Sequence, residues 1–228
     1  MTWLTETHTR SSPSGEPFHD LVGIEAMAKA TFRRLLILFS VLAASVSLTT
    51  QPALAAGWTV SEPNGTQVYF ASGSTTMTTE QGSQFSCPLH VLAGAVVNPP
   101  DPRFAGITDH LWSACAGPLQ IEVVANGTSQ VNAVEPTADP DVNLVSWTDA
   151  SLSVSGPDCS ATLTGDVPGT YDNSTGTLTL GAGVPNPNGL QLTVSEVNGC
   201  LGAFPAGSAV TFSGSYAAPP SFALTYVP

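Results

Sequence analysis

The feature that most limits the fold is a series of short segments in which polar and apolar residues alternate. In residues 190–194, Leu-Gln-Leu-Thr-Val, apolar side chains occupy every second position, and residues 177–180 repeat the pattern. This is the periodicity of an antiparallel strand with one buried face. Further segments of strand-like length and composition span 66–70, 91–97, 119–124, 151–154, 161–164, 210–216 and 222–227.

Turn signals separate these segments. Asn-Gly pairs, which tolerate the positive φ angles of tight turns, stand at 64–65, 126–127, 188–189 and 198–199. With 21 glycines and 19 prolines, the chain leaves little room for a helix. We therefore predict an all-β fold, either an antiparallel β-sandwich or a barrel-like variant of it. Two similar halves, divided near 136–143, are the alternative to one continuous sandwich.

The N-terminal region is typical of an exported protein. A signal peptide needs positive residues, a short apolar run and a small-residue cleavage site. The apolar run lies at 35–48, and Ala-Leu-Ala at 53–55 supplies the site. The positive residues in front of the run are Lys29, Arg33 and Arg34. The apolar run is too short for a comfortable membrane span, which needs about 20 residues.

These features divide the chain into three parts. Residues 27–55 are predicted to be the signal peptide, cleaved after Ala55, and residues 56–228 the secreted β-sandwich domain. Residues 1–26 are polar and have no clear period. We interpret them as the product of a misassigned translation start upstream of Met27, or as a disordered leader.

Four cysteines follow the predicted cleavage site, which favours two disulfides in an exported chain. They are Cys87, Cys115, Cys159 and Cys200. Three pairings are possible, and we favour the first with the second and the third with the fourth, because each bond then lies within one half of the domain. A zinc site is the rival interpretation, but the chain has no Cys-x-x-Cys pair.

The charge balance excludes several classes of partner. Residues 56–228 hold thirteen acidic side chains and one basic one, Arg103, for a net charge of −12. Nucleic acids and anionic membranes are bound through lysine and arginine, so we expect neither as a partner. Lysine-dependent Schiff-base chemistry and phosphate-binding P-loops are excluded for the same reason. We expect a monomer without a cofactor.

Three tryptophans are candidates for ligand binding. Trp58, Trp112 and Trp147 could form an aromatic platform for a sugar ring, although most aromatic residues of a small β protein belong to its core. Both interpretations stay open at this stage.

Two histidines are the only side chains after the cleavage site that titrate near neutral pH. His90 and His110 bracket Asp101, Arg103 and Asp109. This grouping is either a polar active site on the loop that leads to His110 or a solvated loop with one internal salt bridge. No Gly-x-Ser-x-Gly motif supplies the nucleophile of a hydrolase.

An acidic segment gives a weak calcium candidate. Asp139, Asp141 and Asn143 have the spacing that opens a calcium-binding loop, but Leu144 and Ala150 replace the glycine and glutamate that an EF-hand needs. An EF-hand is therefore rejected, and the alternatives are a looser site of loop carboxylates or a plain acidic loop.

The second half contains a set of cysteine, turn and strand motifs: Cys159 at a strand start, Tyr171-Asp172-Asn173 with Gly176 and Leu178, residues 197–202 and residues 212–216. The first half has a weaker set, Phe85-Ser86-Cys87 and Cys115. With these motifs the chain resembles a loose group of small secreted actinobacterial proteins of unassigned function. The resemblance implies an exported, disulfide-bonded β fold, and it carries over neither a ligand nor a catalytic residue.

Taken together, these patterns favour a secreted, non-enzymatic protein that binds a cell-envelope glycan or a protein partner. A secreted hydrolase that uses His90 or His110 with nearby carboxylates is the first alternative. An extracellular inhibitor or toxin-like partner protein is the second.

Overall fold

The computed structural model describes residues 57–99 and 102–228, all within one compact unit, Thr50–Pro228. The predicted leader and signal peptide lie outside the described residues. The described part contains fourteen strands and one short 3-10 helix, η1, at Cys200–Gly202. The strands are β1 Gly57–Val60, β2 Gln67–Ser72, β3 Thr75–Thr79, β4 Gln84–Cys87, β5 His90–Val96, β6 Arg103–Trp112, β7 Glu122–Ala125, β8 Ser129–Pro136, β9 Val142–Gly156, β10 Cys159–Asp172, β11 Thr177–Gly181, β12 Leu192–Gly199, β13 Ala209–Ala217 and β14 Leu224–Val227.

All strand pairs are antiparallel. Strands β1 and β14 form a small sheet, and the other twelve form one large sheet whose main path runs β11-β10-β12-β13-β2-β5-β6-β8-β9-β7, with β3 paired to β13 and β4 paired to β3. The long β9 and β10 also pair with each other along most of their lengths, across a register shift between Gly165 and Val167. The predicted antiparallel β-sandwich is confirmed, and the sheet is not a closed barrel.

The core follows from the period of two along the strands. In β5, His90, Leu92 and Val96 are buried while the residues between them are partly exposed, apart from Gly94, which lies on the buried side. The largest fully buried side chains include Trp147, Tyr171, Tyr216, Phe70, Phe85, Phe104, Phe204 and Phe212. Full burial of a large apolar side chain contributes about 1.5–3 kcal/mol, so this aromatic set is a main source of stability.

Both predicted disulfides are present. Cys87 of β4 is bonded to Cys115, which lies between β6 and β7, and Cys159 at the start of β10 is bonded to Cys200 of η1. The favoured pairing is therefore confirmed, and it leaves none of the four cysteines free.

The Asn-Gly pairs adopt the predicted positive φ angles, and the two at 64–65 and 126–127 connect strands that are not neighbours. Gly65 and Gly127 have φ angles of 83° and 81°. The strands on either side of each pair do not pair with one another, because β1 pairs with β14, β2 with β5, and β7 with β9. These turns redirect the chain between distant strands, and the local sequence does not encode that choice of partner.

Three predicted strands begin clearly later than expected. The segments 190–194 and 222–227 enter β12 and β14 only from Leu192 and Leu224. Of residues 119–124, only the part from Glu122 onward belongs to β7, while Ile121 forms an isolated bridge with Cys115. Strands β1, β3, β4, β6 and β8 carry weaker periodicity and were not predicted. No helix of the described residues is long and apolar enough to cross a membrane.

Candidate functional site

The two histidines lie on neighbouring strands inside the sandwich. His90 begins β5 and is 0 % exposed, and His110 lies on β6 opposite Leu92. A hydrogen bond of 3.4 Å joins His90 Nε2 to His110 Nδ1. The predicted loop site is therefore wrong in placement, because both side chains belong to strands and meet in the interior.

This pair is the centre of a longer hydrogen-bonded chain. His90 Nδ1 lies 2.6 Å from the hydroxyl of Tyr216, and His110 Nε2 lies 3.1 Å from Ser129 Oγ. The indole N–H of Trp147 donates to the same serine oxygen at 2.8 Å. Five side chains from β5, β6, β8, β9 and β13 thus form one polar network in an aromatic core, which we call the histidine network.

The protons in the histidine network must be ordered in one direction. A neutral imidazole has one N–H and one acceptor nitrogen, so a donor at one end fixes the tautomer of both rings. Either Tyr216 donates and Ser129 accepts from His110, or Ser129 donates and Tyr216 accepts from His90. Both arrangements satisfy all four ring nitrogens, which makes two adjacent neutral histidines compatible with burial.

Burial keeps both rings neutral at neutral pH. Loss of hydration lowers the pKa of His110 from 6.5 to about 4, and the nearby charge of Asp109 opposes this only in part. Desolvation, assisted by repulsion from His110, holds the pKa of His90 well below its ordinary value. Desolvation also raises the pKa of Tyr216 well above 10. The network is therefore uncharged under ordinary conditions.

Trp112 connects this buried network to the surface. Its ring stacks on His90 with centroids 3.5 Å apart and an interplanar angle of 13°. Phe212 contacts the same indole edge-on at 6.3 Å. Trp112 is only half-buried, so the histidine network fixes the orientation of an aromatic ring that still reaches solvent.

A cleft of about 500 Å³ opens beside Trp112. Trp112 ends β6, Glu122 begins β7, and Gly156 ends β9, so three strand ends meet there. The residues that line the cleft include Trp112, Ser113, Gln120, Glu122, Ser155 and Gly156. The cleft thus combines one aromatic wall with several polar side chains, which is the usual make-up of a site for a polar small ligand.

The segment between β6 and β7 is held firmly although it has little regular structure. Cys115 is tied to Cys87 by the disulfide and exchanges two backbone hydrogen bonds with Ile121, of 3.0 and 3.2 Å. Ala116 exchanges two more with Ser86, of 2.8 and 2.7 Å. The rim of the cleft is therefore anchored to β4.

The polar side chains of the cleft have free hydrogen-bonding capacity. Gln120 and Glu122 are exposed and Ser155 is on the same rim, and none of the three makes a side-chain hydrogen bond within residues 57–99 and 102–228. Ser113 is different, since its hydroxyl is used by the backbone of Leu89. A ligand in the cleft can therefore use three unoccupied polar groups beside the indole.

The three tryptophans do not form a common surface platform. Trp147 is 0 % exposed and belongs to the histidine network, so the prediction that it contacts a ligand is corrected. Trp58 lies in the separate β1–β14 sheet and packs edge-to-face on Tyr226 at 5.2 Å. Of the three, only Trp112 lines the cleft.

The residues of the predicted calcium loop do not converge on one point. Asp139 and Asp141 are exposed, and the Asp139 carboxylate accepts the backbone N–H of Asp141 at 3.0 Å. Asn143 is buried, and its amide donates to the carbonyl of Leu224 at 2.9 Å. Within the described part of the chain, no three His, Cys, Asp or Glu side chains are grouped so that they could hold a metal ion.

The charged residues between the histidines do not join the histidine network. Asp109 accepts a hydrogen bond from Thr108 at 2.9 Å, and Asp101 lies outside the described residues. Arg103 begins β6, at the opposite end of that strand from Trp112. No hydrogen bond joins either histidine to a carboxylate in the part of the chain that the structure describes.

Several residues of the site were missed at the sequence level. The burial of His90 had no signal in the sequence, because residues 91–97 form a continuous apolar run without alternation. Tyr216 and Ser129 carry no signal either, since their contacts with the histidines depend on strand packing. Gln120, Glu122 and Ser155 come together only through the pairing of β7 with β9, in which Glu122 is opposite Ser155.

No protein-family model, no curated protein and no solved structure matches this chain. The resemblance to small secreted actinobacterial proteins therefore stays a prediction.

Proposed function

We propose that the protein is a secreted, non-enzymatic binding protein whose cleft beside Trp112 holds a saccharide of the cell envelope or of an extracellular polysaccharide. The observation that carries the proposal is the pairing of a half-buried indole with three unoccupied polar side chains in one cleft of about 500 Å³. Sugar rings present both an apolar face and hydroxyl groups, and this combination matches both.

The rigidity of the cleft supports binding. His90 stacks on Trp112 and is held from behind by Tyr216 and His110. The disulfide Cys87–Cys115 anchors the rim on the other side. Preorganised groups lose little conformational freedom when a ligand binds, so less of the interaction energy is spent on ordering.

Two disulfides fit an oxidising, extracellular environment, and the predicted signal peptide gives the route to it. The hydrolase alternative gains no specific support, because His90 is enclosed and His110 has its pKa lowered to about 4, without a carboxylate partner among the described residues. The inhibitor or toxin-like alternative likewise has no observation that favours it.

A depletion assay tests the proposal. The purified, oxidised protein is mixed with cell envelope of the producing organism and with a panel of insoluble polysaccharides, and the protein left in solution is measured. We expect saturable loss on one material. Trp112→Leu and Gln120→Ala should each weaken the affinity for that material about 5- to 30-fold, since loss of such a contact costs about 1–2 kcal/mol.

The matched control is Trp58→Ala, which removes the other partly buried tryptophan at a site away from the cleft. This variant should bind like the wild type, and thermal unfolding should show that all variants are folded at the assay temperature. Absence of depletion on every material, or equal depletion by all variants, would contradict the proposed site.

A further inference from the structure

We infer that the ligand of the Trp112 cleft carries a positive charge, and that its class is a saccharide with free amino groups. This inference depends on the proposed function and specifies the ligand of the same cleft. It follows from the placement of Glu122 beside Trp112 in a domain that is almost without cations.

Glu122 brings a carboxylate into the cleft with no cation of the domain to pair with it. Arg103 is the only lysine or arginine of residues 57–228. It lies nine positions before Trp112 on β6, which corresponds to roughly 30 Å at the rise of a strand. The nearest histidines are neutral at neutral pH for the reasons given above.

Trp112 adds a second group that favours cations. One face of its indole is covered by His90 at 3.5 Å, and the half-buried Trp112 also lines the cleft. The π-electron face of tryptophan is the best of the aromatic partners for an ammonium group within about 6 Å. An amino group between this ring and the Glu122 carboxylate would satisfy both.

The charge of the whole domain acts in the same direction. A net charge of −12 for residues 56–228 raises the local concentration of cations and repels anionic polymers. A neutral sugar can donate hydroxyl hydrogen bonds to Glu122, but it leaves the charge of the partly desolvated carboxylate uncompensated, which is less favourable than pairing it with a cation. A protonated amine avoids this cost, whereas an acetylated amine does not.

The test compares two oligosaccharides that differ only in this group. Isothermal titration calorimetry at pH 6.0 and low salt measures binding of the β-1,4-linked glucosamine hexamer and of its fully N-acetylated counterpart. We expect the amine form to bind at least about tenfold more tightly, and its affinity to fall as salt is raised from 50 to 300 mM.

The variant Glu122→Gln keeps the shape of the side chain and removes its charge. In this variant, the affinities for the two hexamers should differ by no more than about twofold. Glu135→Gln is the matched control, because it makes the same charge change at an exposed position near the end of β8, outside the cleft. This control should bind the amine hexamer more tightly than the acetylated one, as the wild type does.

The outcomes separate this inference from the proposed function. If both hexamers bind the wild type equally, or if Glu122→Gln keeps the preference, the inference is overturned while saccharide binding stands. If neither hexamer binds but a neutral polysaccharide depletes the protein through Trp112, the inference is again overturned. If no saccharide of any kind binds, the proposed function fails as well.

Discussion

The histidine network makes a defined prediction about stability and pH. In the folded protein the pKa of His110 is about 4, whereas an exposed histidine of the unfolded chain titrates near 6.5. Between pH 6.5 and pH 4, this histidine therefore binds a proton in the unfolded chain but not in the folded one. Stability from this group is fully present above pH 6.5 and is lost as the pH falls toward 4.

The magnitude follows from the two pKa values. Each pH unit between them corresponds to about 1.4 kcal/mol, so His110 alone should cost the folded state about 2.5 kcal/mol between pH 7 and pH 4.5. His90 acts in the same direction, because burial and the neighbouring ring both disfavour its charged form. The negative charge of Asp109 raises the pKa of His110, and the value of about 4 already includes this opposing contribution.

Urea unfolding followed by tryptophan fluorescence at pH 7.0, 6.0, 5.0 and 4.5 measures this directly. The comparison variant is His110→Gln, whose amide can reach the position of Nε2 near Ser129 without titrating. From pH 7.0 to pH 4.5, the free energy of unfolding of the wild type should fall by about 2 kcal/mol more than that of the variant. An identical loss of stability in the two proteins would refute the reasoning.

Other consequences concern the disulfides, one glycine and one tyrosine. Replacing both Cys159 and Cys200 by alanine should cost about 4 kcal/mol for a separation of 41 residues, measured by urea unfolding; an unchanged midpoint would contradict this. Gly181→Ala should cost more than about 2 kcal/mol, since φ is 87° and the added methyl would overlap the carbonyl oxygen of Phe212; a thermal shift below about 2 °C would show that the backbone adapts. Tyr171→Phe should cost about 1 kcal/mol, because its buried hydroxyl donates to a carbonyl in the C-terminal segment at 2.8 Å, and an unchanged unfolding free energy would argue against that bond.

The strands and disulfides were predictable because their signals are local. Residues 177–180 and 210–216 alternate clearly, and they lie within β11 and β13. The cysteine pairing was favoured because each bond then lies within one half of the domain, as the bonds between Cys87 and Cys115 and between Cys159 and Cys200 do. These features needed no knowledge of which strands are neighbours.

The candidate site could be predicted only in part, since it depends on pairing between distant strands. Trp112 was identified as a ligand candidate together with Trp147, yet one lines the cleft and the other is enclosed. Both rings pack against Phe212 on the same side of the sheet, and they differ because Trp112 is the last residue of β6 whereas Trp147 lies inside β9. Glu122 reaches the cleft only through the register of β7 with β9.

The central claim is that a saccharide binds at Trp112, and indole NMR tests it most directly. The ¹⁵N-labelled protein is titrated with a soluble fragment of the polysaccharide that depletes it, and the Trp112 signal is assigned from Trp112→Phe. We predict that the Trp112 indole signal moves in a saturable way, while the signals of Trp58 and of Trp147, which is bonded to Ser129, stay in place. A saturating titration that moves the Trp58 signal, or leaves all indole signals unmoved, would contradict the account.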